Sequence, residues 1–323
     1  MKIIKKLGKL AVFTMALGLT STANAAWPDD RVIEVYVGYA AGGTTDMMAR
    51  TIAPFIAKHL GGNASLAVIN KPGASGELAV SHVQSARPDG YTVGIVNLPG
   101  YFFLPMYRKA QYDPEKVQLL GRVVSDPTVM VTRQENTHLE TLAKVTETLK
   151  KAPESVSAGH NGLGTNGHLA MMQYEKAVDI NFNAIPYKGT AEQRLALAGG
   201  HLEIGFVAAS EVQNIENEAR PMKLIAQFTR ERIDSLPDLP TTFESGVNVE
   251  MTAERGFAMP KGAPADVVER LQKAIQAAIA DPEYIKAARA DAPFLAFLAG
   301  DEWEKRIADE REIYAELAKV MQQ

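Results

Sequence analysis

The chain has no cysteine, which excludes disulfides, thiolate metal sites and a cysteine nucleophile. Beyond its first 25 residues it has no apolar run approaching the roughly 20 residues that a membrane-spanning helix needs. An excess of positive charge is missing too. The formal net charge is -4, and the first 25 residues hold four of the 34 basic residues and none of the 38 acidic ones, so the remainder stands at -8. That balance argues against nucleic acid or an anionic membrane as partner. It also means that an anionic ligand would have to be held by local donors, because the field of the whole protein repels it. Enzyme signatures are absent as well: there is no phosphate loop, no G-x-G-x-x-G after the first strand-like run, no H-E-x-x-H and no G-x-S-x-G elbow. His160 and His168 flank one glycine-rich loop at a spacing that fits no standard zinc motif. No metal and no cofactor are expected.

What is present begins with a leader. Residues 1–9, MKIIKKLGK, carry four lysines, LAVFTMALGL is a short apolar core, and Ala23-Asn24-Ala25 is a small-residue cleavage signal. This reads as a secretory signal peptide over residues 1–25. Cleavage after Ala25 and export to the periplasm are expected. About 300 exported residues without disulfides must rely on apolar cores, and that length suggests two domains.

Strand-like and helix-like segments alternate, which predicts a parallel α/β architecture. VIEVYVGY (32–39), SLAVIN (65–70), YTVGIVN (91–97), TVMVTR (128–133), LEIGFVAAS (202–210) and MKLIAQFT (222–229) read as strands. Helical spacing follows residue 43, with Pro54 predicting a kink near residue 50. Thr190 and Gln193 suggest a capping box, with Gly199-Gly200 ending that helix. The tail from residue 263 reads as helical throughout. Its last helix carries the apolar stripe Trp303, Ile307, Ile313, Tyr314, Leu317 and Met321.

The stretch GYAAGGTTDMMAR (38–50) joins the first strand to the first helix. A glycine-rich turn there leaves the first N–H groups of the helix without partners, at the end where the helix dipole adds about half a positive charge. Such a turn is an anion site. Its glycines allow close backbone approach, with Gly43 expected at positive φ, and Thr44 or Thr45 can cap the helix. Asp46 reads first as a brace for the loop and the dipole, second as a direct ligand contact. Residues 159–168 and 186–190 repeat the theme of backbone amides and small hydroxyls before a helix. His168 reads as a loop brace before it reads as a base, and Ser75 has no histidine near it in sequence.

In their order and spacing, WP (27–28), AGGTTDMMAR (41–50), NKPGASGE (70–77), ARPDGYT (86–92), GTNGHLA (164–170), PYKGT (186–190), AGG (198–200), LPDLPTTFESG (236–246) and GAPADVVERL (262–271) resemble the substrate-binding proteins of tripartite tricarboxylate transporters, the Bug receptors. The resemblance implies a two-lobed, type II-like periplasmic binding protein fold, each lobe a mostly parallel sheet flanked by helices, with the ligand cleft between them. Lobe 1 is expected over 26–125 and 252–323, and lobe 2 over 126–251. It places candidate ligand contacts at Tyr39, Ala40, Ala41, Gly42, Gly43, Thr44 and Asp46, at Ser75, at Asn161, Gly164, Thr165 and His168, and at Tyr187, Gly189 and Thr190. Two strand-end residues, Asn97 and Ser210, complete the set. Ala40 and Ala41 stand where the family often has prolines, Ser75 at a usual glycine and Ala196 at a usual aspartate. The implied function is capture of a small organic carboxylate (mono-, di-, tricarboxylic or aromatic) and its delivery to membrane transporter subunits by a monomeric, non-enzymatic receptor. Two other readings remain: an exported hydrolase or isomerase using His168 with Asp46 or Ser75, and a receptor signalling to a membrane sensor kinase.

Overall fold

The computed structural model describes residues 27–212 and 221–322. The leader and its cleavage site lie outside them. Among the described residues the strands are β1 (Ile33–Val37), β2 (Leu66–Asn70), β3 (Thr92–Leu98), β4 (Val117–Arg133), β5 (Ser157–His160), β6 (Asn183–Pro186), β7 (Ile204–Ala208), β8 (Met222–Gln227), β9 (Thr252–Pro260) and β10 (Leu295–Ala299). Their order is β2-β1-β3-β9-β4-β7-β5-β6, with β10 and β8 also paired to β4.

The sheet is mixed, where a mostly parallel one was expected. β2, β1 and β3 pair in parallel, as do β6, β5 and β7, but β4 and β9 run antiparallel to every strand they touch. The cause is the connections. Helices α1 (Thr44–Leu60) and α2 (Glu77–Ser85) return the chain across the first half of the sheet, and α5 (Asn166–Val178) and α6 (Thr190–Gly199) do so across the second. β4 instead runs straight from one half into the other, and β9 comes back beside it. Residues 117–127 of β4 pair with β9, whereas Thr128 onward pairs with β7 and β8. Pro127 marks the change, a position where a missing N–H interrupts the ladder.

Apolar alternation buries the strands as the sequence suggests. Ile33, Val35 and Val37 of β1 are fully buried against Met48, Ile52 and Ile56 of α1. A second cluster gathers Tyr174, Phe206 and Phe228. α1 is continuous through Pro54. The loss at Pro54 is confined to the single bond its missing N–H would have made to the preceding turn.

Three elements were not legible: α3 (Gly100–Tyr107), β9, and β10, which interrupts the tail between α7 (Ala265–Ala280), α8 (Pro282–Ala287) and α9 (Gly300–Met321). In α9, Trp303, Ile307, Tyr314 and Leu317 are buried as expected, but Ile313 is exposed. The expected capping box does not form. Gly189 is the N-cap of α6, and Gln193 turns inward to donate to the carbonyls of Gly159 (2.8 Å) and Phe206 (3.1 Å).

Candidate functional site

The loop from β1 into α1 is held from beneath by a buried carboxylate. Asp46 accepts the Gly42 N–H at 2.8 Å, Arg50 Nε at 2.9 Å and Asn70 Nδ2 at 2.8 Å. Burial opposes its charge, but these three donors outweigh it and hold the carboxyl below the ordinary aspartate range. The turn uses Gly42, not Gly43, at positive φ (81°); Gly43 is extended and serves as the N-cap of α1. Neither threonine caps the helix. The Thr45 hydroxyl accepts from Asn97 Nδ2 at 2.9 Å, while Thr44 Oγ1 donates to Glu211 at 3.4 Å. Among the described residues the amides of Thr44 and Thr45 thus open the helix unpaired, beside the exposed Ala40, Ala41, Gly42 and Gly43.

The second loop of this half packs tightly on the first. A Cβ on Gly38 would lie 2.5 Å from Gly76 Cα, so only glycine fits there. The Tyr39 hydroxyl donates to the Ser75 carbonyl at 3.3 Å, and burial pushes the Tyr39 phenol up to about 12. Ala74 and Ser75 both take positive φ, 48° and 57°, a backbone strain tolerated where the surroundings fix the turn. Tyr39, Ser75 and Asn97 line a small cavity in which about 10 Å³ is open to the centre of a water molecule, room for one. Asn97 Oδ1, buried there, has no hydrogen-bond partner among the described residues.

In the other half, β5 leads through residues 161–165 into α5. Thr165 is the N-cap, but its hydroxyl bonds back to Asn161 Oδ1 and the Gly162 carbonyl, both at 2.7 Å, leaving the first amides of α5 unpaired. Gly167 is forced by close approach, since a Cβ would lie 2.7 Å from the Phe206 carbonyl. His168 accepts the Gly164 N–H at Nδ1 (3.1 Å), which places its own proton on Nε2. Its ring lies 4.3 Å from that of His160. Burial, with a smaller contribution from His160, drives His168 down to about 3. The loop before α6 is tied to the same place, because Tyr187 N donates to the His160 carbonyl at 2.9 Å. Gly189 has open space around it, and Thr190 begins the helix.

These contacts form a closed circuit. Asn97 at the end of β3 holds Thr45; Gly100 abuts the Gly164 carbonyl, a Cβ there lying 3.3 Å away; His160 joins Tyr187; Arg194 of α6 pairs with Glu211 at 3.0 Å; and Glu211 meets Thr44. The starts of α1, α5 and α6 therefore stand round one perimeter, and among the described residues their first amides, at the positive end of each helix dipole, have no partner.

The sequence profile described as tripartite tricarboxylate transporter family receptor matches residues 48–311. The chain belongs to this receptor family. A UPF0065 protein of Cupriavidus necator is 32% identical over 283 residues, spanning 85% of this chain and 84% of that one. A Polaromonas TctC solute-binding protein superposes with a TM-score of 0.74 at 28% identity, covering 91% of this chain and 99% of its own. An R. palustris protein solved with adipate gives 0.79 at 25% identity, covering 91% and 98%. Members of the family are periplasmic solute-binding proteins, and the mixed α/β fold of this chain matches theirs.

Among the described residues no hydrogen bond links Asp46, His168 and Ser75, the residues considered for an exported hydrolase. Asp46 accepts from Gly42, Arg50 and Asn70, and His168 from Gly164. Ser210 stands apart from the perimeter. It is buried, its N–H and hydroxyl both donating to Asp126 (3.1 and 2.6 Å) where β4 changes sheet halves, and Arg255 adds a third donor to that carboxylate. Burial lifts Asp126 to about 6 against the pull of Arg255. The neighbour of Ser210, Glu211, is the residue at the perimeter, and sequence reasoning missed both it and Arg194. The available signal was position: Glu211 follows the carboxyl end of β7, the edge at which α/β sheets place their ligands.

Proposed function

We propose that the protein is an exported receptor that captures a small organic carboxylate between two lobes and passes it to a tripartite tricarboxylate-type membrane transporter. The observation that carries this reading is the convergence of three helix starts on one perimeter, with their first amides unpaired among the described residues. Such donors suit a carboxylate held without any arginine of its own. Family membership and the adipate in the R. palustris structure support the same ligand class. Export through the leader, cut after Ala25, fits the periplasmic setting of the family.

The lobes of this reading are residues 26–125 with 252–323, and 126–251, joined where β4 and β9 cross. Tyr39 to Thr44, Ser75 and Asn97 serve from the first lobe. Asn161, Gly164, Thr165, His168, Tyr187, Gly189 and Thr190 serve from the second, and Asp46 acts by bracing. With donors on both lobes, ligand enters while the lobes stand apart and binding draws them together. Closure expels water and strengthens the charge-assisted bonds, which gives the ligand its preference for the closed form.

A thermal-shift screen over mono-, di-, tricarboxylic and aromatic acids tests the proposal. A true ligand at one hundred times its dissociation constant adds about 2.7 kcal/mol, and it is recovered chemically unchanged at one equivalent per chain. Turnover of any binder would favour the hydrolase or isomerase reading instead.

A further inference from the structure

Thr45, 6% exposed at the start of α1, carries a hydroxyl whose hydrogen bonding is only half satisfied. Its oxygen accepts from Asn97 Nδ2 at 2.9 Å, so its own proton has to be given elsewhere. Among the described residues no atom takes it, and the amide N–H of the same residue is unpaired there too. A buried donor without an acceptor costs free energy. An anion at the helix start removes that cost by accepting from both groups of Thr45 at once.

Asn97 decides that the hydroxyl donates. With Nδ2 toward Thr45, as here, the hydroxyl proton is left free; with Oδ1 in that place, Thr45 would spend its proton on Asn97 and show an anion only lone pairs. Oδ1 is turned instead to the small cavity lined by Tyr39, Tyr101 and Tyr112, where nothing described donates to it. The three phenols are spent elsewhere: Tyr39 donates to the Ser75 carbonyl at 3.3 Å, Tyr101 to the Pro114 carbonyl at 3.3 Å and Tyr112 to the Tyr101 carbonyl at 2.6 Å. What the cavity has room for is one water, which can donate to Oδ1.

We infer that Asn97 is a positioning residue: with Oδ1 held by one buried water, its Nδ2 makes the Thr45 hydroxyl a donor to a ligand carboxylate oxygen. The inference rests on the carboxylate-receptor reading and adds to it a side-chain donor and the residue that aims it.

Calorimetry with succinate, adipate, citrate and benzoate on the purified protein and its variants tests it, with a melting curve of each variant to show that it is folded. Thr45→Val keeps the branched shape and removes the hydroxyl, so the acid that binds the wild type most tightly should lose about ten- to a hundredfold in affinity, as for a hydrogen bond to a charged group. Thr45→Ser restores the hydroxyl and should recover most of that loss. Asn97→Leu removes the aim but leaves the hydroxyl free to rotate, which should cost about three- to tenfold. Added to Thr45→Val it should cost less than about a further twofold, because Asn97 acts through Thr45. Side chains that merely support the loop would lower affinity independently, and serine and valine at position 45 would behave alike. If Asn97→Leu does not fold, the valine and serine variants decide alone. Thr45→Val binding as the wild type does, or a double variant whose losses multiply, overturns the inference and leaves the receptor reading standing. If none of the four acids binds the wild type, the inference is also overturned, and the receptor reading then depends on the other acids of the thermal-shift screen.

Discussion

Replacing Asp46 with asparagine separates bracing from ligand contact. The carboxylate is 2% exposed and satisfies the Gly42 N–H, Arg50 Nε and Asn70 Nδ2. An asparagine of the same shape keeps one acceptor oxygen and turns an amide toward donors that the other oxygen had served. Hydrogen bonds to a charged group contribute about 1.5–3 kcal/mol each. The Arg50 bond is discounted to under about 1 kcal/mol because that side chain is 48% exposed. The expected cost is therefore about 2–3 kcal/mol, seen in urea denaturation at neutral pH and as a melting point lower by roughly 3–5 °C. The pH dependence fixes the sign. The folded carboxyl lies below its ordinary value, so its contribution is present above the unfolded value near about 3.9 and disappears as pH falls through the folded one. The gap between wild type and variant should narrow on the acid side. Ligand affinity should fall with the loosened loop. A variant of unchanged stability that loses binding outright would refute the brace and make Asp46 a ligand contact.

Three further outcomes are expected. Gly167→Ala should destabilise by about 2 kcal/mol or more in denaturant titration, because its Cβ meets the fixed Phe206 carbonyl at 2.7 Å; a cost under about 0.5 kcal/mol would show that α5 shifts freely on β7. With His168 held down at about 3, its imidazole NMR signals should not titrate between about pH 5 and 8, and the unfolded chain, charging near about 6.5, should draw stability away as pH falls below that value; a normal titration would contradict its buried, neutral role. Thr44→Ala combined with Thr190→Ala should weaken affinity and reduce the ligand-induced fall in radius of gyration by solution scattering; a tight ligand that leaves the profile of an open protein unchanged would place the site within one lobe.

The alternating segments were legible because β1, β2, β3 and β7 each read as apolar alternation or a compact apolar run, and the glycine-rich turns marked where helices start. The antiparallel crossing was not, since nothing local in VQLLGRVVSDPTVMVTR tells that its two ends belong to different halves of the sheet. β9 and β10 depend in the same way on distant partners. At the site, the three loops were visible from their small residues. Their internal wiring was hidden: Gly42 rather than Gly43 takes the positive φ, Thr45 serves Asn97 instead of capping, and Ser210 is claimed by Asp126. Each is a choice among local donors and acceptors that tertiary contacts decide.

Amide hydrogen exchange with and without the carboxylate giving the largest thermal shift tests the central claim most directly. If one anion is held by all three helix starts, ligand should slow exchange together at Thr44 and Thr45, at Asn166 and Gly167, and at Thr190 and Ala191. Protection confined to one of these helix starts, or to residues away from all three, would contradict the account.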